Sequence, residues 1–200
     1  MKKNRKRFLI KLQNLVIYFF VCSFIGWVLE VAYAFSVFGT FVDRGFLHGP
    51  ICPIYGCGAV AMVLITDWIK SKKIKNIWIM FAIVTAIATI LEYIASFILE
   101  KIFGLRWWDY TGYFLNINGR VCLIFAIFFG IAGILFIKKL YVPIEKEIRK
   151  LRKKMSNRLI GILLILCLIT LGIDVYFSYI KYTIPENSKI DSRVVIYLNK

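Results

Sequence analysis

The chain has 200 residues, 60% hydrophobic and only 19% charged, with a mean hydropathy of +0.74, and so apolar a composition excludes a water-soluble domain. The formal net charge of +16, from 27 Lys and Arg against 11 Asp and Glu, would suggest nucleic acid in a soluble chain. Here the cations stand between apolar runs, which excludes that partner, and the five cysteines (Cys22, Cys52, Cys57, Cys122, Cys167), odd in number and in apolar stretches, read as small core residues rather than a disulfide framework.

A bilayer core of about 30 Å needs roughly 20 apolar residues per helix. After the basic start from Lys2 to Lys11, the first such run extends from Leu12 to Phe38. Ala32-Tyr33-Ala34 has the small-residue spacing of a signal-peptide cleavage site, but the run is long for such a segment and continues past the cut, so it is read as a retained span. Residues 45–53, with Gly49-Pro50 and Pro53, break helical geometry and form either a re-entrant segment or the irregular start of the second span, Ile51 to Ile69. Further runs cover Ile77 to Leu99, Gly119 to Ile137 and Leu159 to Ile180. The last two are separated by a basic connection, 138–158. There Ile144, Ile148, Leu151 and Met155 recur at helical spacing among Lys146, Arg149, Lys150, Arg152, Lys153 and Lys154. Such a helix rests on anionic lipids at the cytoplasmic face or docks a cytoplasmic partner. Residues 181–200 read as a short polar extracytoplasmic tail. The expectation is an all-α, polytopic membrane helical bundle, with residues 1–180 as a single transmembrane domain.

Orientation follows from the cations, because cytoplasmic loops retain Lys and Arg. The amino-terminal segment, the connection with Lys70, Lys72, Lys73 and Lys75, and the 138–158 connection together hold 19 of the 27, against 8 on the other side. This places the amino terminus inside. Trp68 and Trp78 then mark the inner interface, and Trp107, Trp108, Tyr110, Tyr113, Tyr176 and Tyr179 the outer one.

Ionisable groups inside spans cost at least about 2.5 to 3.5 kcal/mol near a helix centre, so each one is a candidate for function. Glu30 and Glu92 stand out, both about fifteen residues into their helices and a little beyond the midplane. Thr85, Thr89, Glu92 and Ser96 share one helical face, as do Ser23, Trp27, Glu30 and Ala34. The outer connections supply Arg44, Arg106 and Arg120, with Tyr55, Asp109, Asn116 and Asn118 in the same layer. The expectation is that Glu30 and Glu92 contact Arg44 and Arg120, as an outward-opening polar site or as fixed ion pairs that select the helix arrangement. Asp174 either joins this layer or simply reaches the interface, and Asp67 is read as interfacial. Gly119, Ala126, Gly130 and Gly133 form a stripe of small residues suited to close helix packing. His48 is the sole histidine, and with Cys52 and Cys57 nearby it matches no standard zinc spacing, so no metal or other cofactor is expected. There is no Walker A segment, nucleophile elbow or dinucleotide-binding glycine pattern, so any ATPase activity belongs to another chain.

In order along the chain stand Gly26-Trp27-Val28-Leu29-Glu30, Arg44-Gly45-Phe46-Leu47-His48-Gly49-Pro50, Pro53-Ile54-Tyr55-Gly56, Glu92-Tyr93, Trp107-Trp108-Asp109-Tyr110 and Asn116-Ile117-Asn118-Gly119-Arg120. This combination, between roughly Phe20 and Ile137, resembles the CmpB-like family of putative ABC-transporter type IV permease proteins of bacteria. The resemblance implies a multi-pass component of the bacterial cytoplasmic membrane that works with a separate ATPase subunit. The leading expectation is a permease-like component that binds a small or lipidic anionic solute in the outer polar pocket. Two alternatives stay open: an intramembrane enzyme acting on a lipid or polyprenyl phosphate, with a glutamate as general base and the arginines as anion clamp, and a membrane assembly or regulatory subunit. Assembly of several copies is left open as well.

Overall fold

The computed structural model describes residues 2–40 and 46–183. They form α1 (Lys2–Phe38), α2 (Pro53–Ser71), α3 (Ile77–Phe103), α4 (Leu123–Leu135), a π-helical segment (Phe136–Leu140), α5 (Tyr141–Lys154) and α6 (Asn157–Thr183). Among the described residues, five helical runs are long and apolar enough to cross a membrane: Asn4–Phe38, Pro53–Ser71, Ile77–Phe103, Leu123–Lys154 and Asn157–Thr183. The protein is therefore all-α and polytopic, as its sequence predicts. Only 6% of the most apolar window of α6 is buried, a surface that hydrocarbon tolerates and water does not.

Helix ends follow from local chemistry. Pro53 opens α2, where its missing N–H costs nothing. The Asn76 side chain caps α3 by accepting from the backbone N–H groups of Trp78 and Ile79, and Gly104, at φ +67°, closes it with an N–H donated to Glu100 O. The fourth span begins at Leu123 rather than at Gly119 because residues 116–122 turn: Asn118 and Gly119 both have positive φ, and Ile117 and Val121 form an isolated antiparallel bridge. At its other end that span does not stop at Ile137. The helical run continues to Lys154 through the π segment.

The chain divides into two compact units. One holds the described residues up to Val63 together with Lys139–Ser178; the other holds Leu64–Lys138 together with the described residues from Tyr179. In the first unit α1 and α2 approach through glycine. A Cβ on Gly26 would strike the Tyr55 ring, and one on Gly56 would strike Ser23 and Phe19. The α5 helix runs antiparallel to the basic half of α1. Tyr141 stacks on Tyr18, whose hydroxyl donates to Tyr141 O (3.1 Å) and Glu145 Oε2 (3.3 Å). Arg152 donates to Asn14 Oδ1, Gln13 Oε1, Asn157 Oδ1 and Ile10 O. Ile148 is buried, and Ile144, Leu151 and Met155 are half-buried.

In the second unit α3 and α4 pack most extensively, and Ala126, Gly130 and Gly133 form the buried face of α4. A side chain at Gly130 would collide with Thr85 Oγ1 and the Phe81 ring, so the small-residue stripe is a close-packing seam.

Candidate functional site

In the first unit the stretch before α2 does re-enter. Cys52 N–H donates to Ser23 O at 3.0 Å, in the middle of α1 and fifteen residues before its end, so the chain returns roughly 22 Å along the helix before α2 begins. Irregular backbone at that depth is tolerable only if its polar groups are satisfied within the protein. Asp174 of α6 accepts from two of them. His48 N–H donates to Asp174 Oδ1 (3.0 Å) and Gly49 N–H to Asp174 Oδ2 (2.9 Å). His48 Nδ1 lies 3.0 Å from the same Oδ1 and 3.0 Å from Ser178 Oγ, which is fully buried. Asp174 thus holds the backbone of residues 48 and 49 against α6. Glu30 accepts from the Tyr55 hydroxyl, the residue that lies over Gly26. Arg44, its expected cation, lies outside the described residues, as does the tail beyond Thr183.

The second unit holds the other predicted residues. Glu92 is 6% exposed, and its Oε1 accepts from the Tyr110 hydroxyl at 3.0 Å. Tyr110 stacks on Phe125 of α4, with ring centroids 4.5 Å apart, and burial raises its phenol well above its usual range, so it stays a donor. Arg120 does not pair with Glu92. Its carboxylate is Glu100, two turns further along the same face of α3, while its Nη1 donates to Ser96 Oγ at 3.3 Å. The Arg120 guanidinium lies over the Tyr93 and Phe97 rings, 5.7 and 5.4 Å from their centroids. The physical reason is reach: Arg120 belongs to the connection beyond the end of α3, and Glu100 is the acidic group nearest that end.

Glu100 serves two guanidinium groups, since Arg106 Nε also donates to it at 3.0 Å. Arg106 further reaches Asn118 O (3.3 Å) and Asp109 Oδ1 (3.7 Å), and the adjacent Glu100 raises its already high pKa. Asp109 is a turn former: Thr111 N–H and Oγ1 both donate to its Oδ1, at 2.9 and 2.6 Å, which holds its carboxyl below the ordinary range. Asn116 Oδ1 accepts from Gly119 N–H at 3.2 Å, and Asn118 Nδ2 donates to the Tyr93 hydroxyl at 2.9 Å. Trp108 Nε1 donates to Arg120 O at 2.9 Å. The Trp-Trp-Asp-Tyr and Asn-Ile-Asn-Gly-Arg segments therefore fold into one hydrogen-bonded cap that delivers Arg120 to Glu100 and Tyr110 to Glu92.

The family model described as Putative ABC-transporter type IV matches residues 17–179. The chain belongs to this family. The match runs from α1 into α6, well beyond the motif-bearing stretch that ends near Ile137. No curated protein and no solved structure matches the chain. Within this chain the motif residues fall on the contacts just described: Gly26 and Glu30 on Tyr55, Glu92 on Tyr110, Arg120 on Glu100. Sequence reasoning missed two groups. Glu100 was findable, because it extends the stripe Glu92, Ser96 by one more turn. The Asp174–His48 contact joins residues 126 apart and left no local signal.

Proposed function

We propose that this chain is the permease-like membrane component of an ABC-type transporter in the cell membrane, working with a separate ATPase subunit, and that a small or lipidic anionic solute takes its place beside Arg120. The carrying observation is the sharing of Glu100 between two arginines. Its side chain is 29% exposed whereas that of Arg120 is 10% exposed, so the carboxylate is the replaceable partner and the guanidinium the fixed one. An incoming carboxylate or phosphate would exchange with Glu100 and gain the Ser96-oriented guanidinium fork. On the side assigned to the cytoplasm, the exposed Lys146, Arg149, Lys150 and Lys153 of α5 would add attraction to anionic lipid of about 1 kcal/mol per cation.

Native mass spectrometry of the chain gently extracted from its own membrane tests this reading. The expected spectrum contains an ATP-hydrolysing subunit and a retained anionic molecule, the latter lost in Arg120→Ala. A chain that carries neither, or that retains the anion equally well in Arg120→Ala, contradicts it.

A further inference from the structure

Three oxygens on one face of α3 are buried and have no hydrogen-bond partner among the described residues: Thr85 Oγ1, Thr89 Oγ1 and Glu92 Oε2. Such groups cost about 1 to 3 kcal/mol each when left unsatisfied, so their presence in a row calls for a function. The two threonines do not even take the usual local option, a bond to the carbonyl one turn back. At 1.5 Å per residue the positions are separated by about 6 Å and about 4.5 Å along the helix axis. None of the three oxygens hydrogen-bonds to another, so each keeps its capacity for a water or a proton. A metal cation fits poorly, because its oxygens must converge within about 2.0 to 2.6 Å and these are strung over about 10 Å. A proton, which moves along hydrogen-bonded waters, needs no such convergence.

We propose that Glu92, with Thr89 and Thr85, forms a buried proton-binding site: the carboxyl takes up and releases a proton through a short file of waters held by the two threonine hydroxyls. Tyr110 occupies Glu92 Oε1, so the proton is taken up on Oε2, the oxygen that has no partner among the described residues. Few groups oppose it. The α4 helix contributes no titratable side chain, and Cys122 just before it is buried. Tyr110 donates to Glu92, the Tyr93 hydroxyl engages Asn118, and Arg106 and Arg120 are paired with Glu100. No ion pair to Glu92 occurs among the described residues, so a proton is the charge that neutralises it. This site requires neither solute nor ATPase, and it stands or falls apart from the role proposed for Arg120.

Infrared difference spectra of the full chain in lipid vesicles, acidic minus alkaline, test the proposal. The wild type should gain the C=O stretch of a protonated carboxylic acid, and Glu92→Gln should lose that band. The near-isosteric Thr85→Val/Thr89→Val protein, its helicity checked by circular dichroism, should keep the band at a higher frequency because the carbonyl has lost its water. Absence of the band in wild type, its persistence in Glu92→Gln, or an unchanged band in the threonine double variant would each overturn the proposal.

Discussion

Asp174 in the first unit and Glu92 in the second are both carboxylates within apolar helices, and their surroundings differ in kind. Asp174 has both oxygens engaged by loop amides and lies beside His48 and Ser178, whereas Glu92 has one oxygen on Tyr110 and one with no partner among the described residues. The first carboxylate is a fastener, since it makes re-entrant backbone tolerable at depth. The second keeps binding capacity in reserve. A carboxylate in an apolar helix therefore does not by itself mark a functional site.

The largest expected effect comes from removing the fastener. Asp174→Ala leaves the His48 and Gly49 amides unpaired and should cost about 3 kcal/mol or more of stability in detergent, read from chemical or thermal unfolding. An effect under about 1 kcal/mol would break the contrast between the two carboxylates. Next, Gly130→Ala drives a methyl group into Thr85 and Phe81, and should destabilise by about 1 to 3 kcal/mol in the same assay while altering the Glu92 infrared band, because the seam around the threonines is forced apart. Gly119→Ala should cost about 1 to 2 kcal/mol, given φ +66° and the contact its Cβ would make with Asp109 and Thr111. That change sharpens the comparison by loosening the cap that carries Tyr110 without touching the first unit. The smallest effect is electrostatic. Asp109 is held below its ordinary range by Thr111, so its stabilisation is complete above that range and disappears as pH falls through the lowered value. Asp109→Asn should flatten that part of the acid limb when melting is followed against pH.

The energetics of the sequence made part of this legible. Apolar runs located the five crossing helices, and the cost of ionisable groups in hydrocarbon singled out Glu92, while Gly49-Pro50 flagged the re-entry. Partners were harder to read, because they depend on three-dimensional reach. Arg120 was expected near Glu92 and stands with Glu100 because the cap turns back toward the end of α3. The basic connection was read from its amphipathic spacing as resting on lipid or docking a partner; the spacing gave no sign of the contacts that Tyr141 and Arg152 make with α1. Asn116 Oδ1 and Asp109 Oδ1 accept hydrogen bonds within turns, contacts that their place in a polar layer of the sequence did not specify.

The most direct test of the contrast is to measure the melting temperatures of Glu92→Gln and Asp174→Ala beside wild type in one detergent. The predicted result is that Glu92→Gln stays within about 1 kcal/mol of wild type, because its amide oxygen still accepts from Tyr110, while Asp174→Ala falls steeply. If Glu92→Gln unfolds as readily as Asp174→Ala, Glu92 is a fastener too, and the distinction between the two carboxylates is wrong.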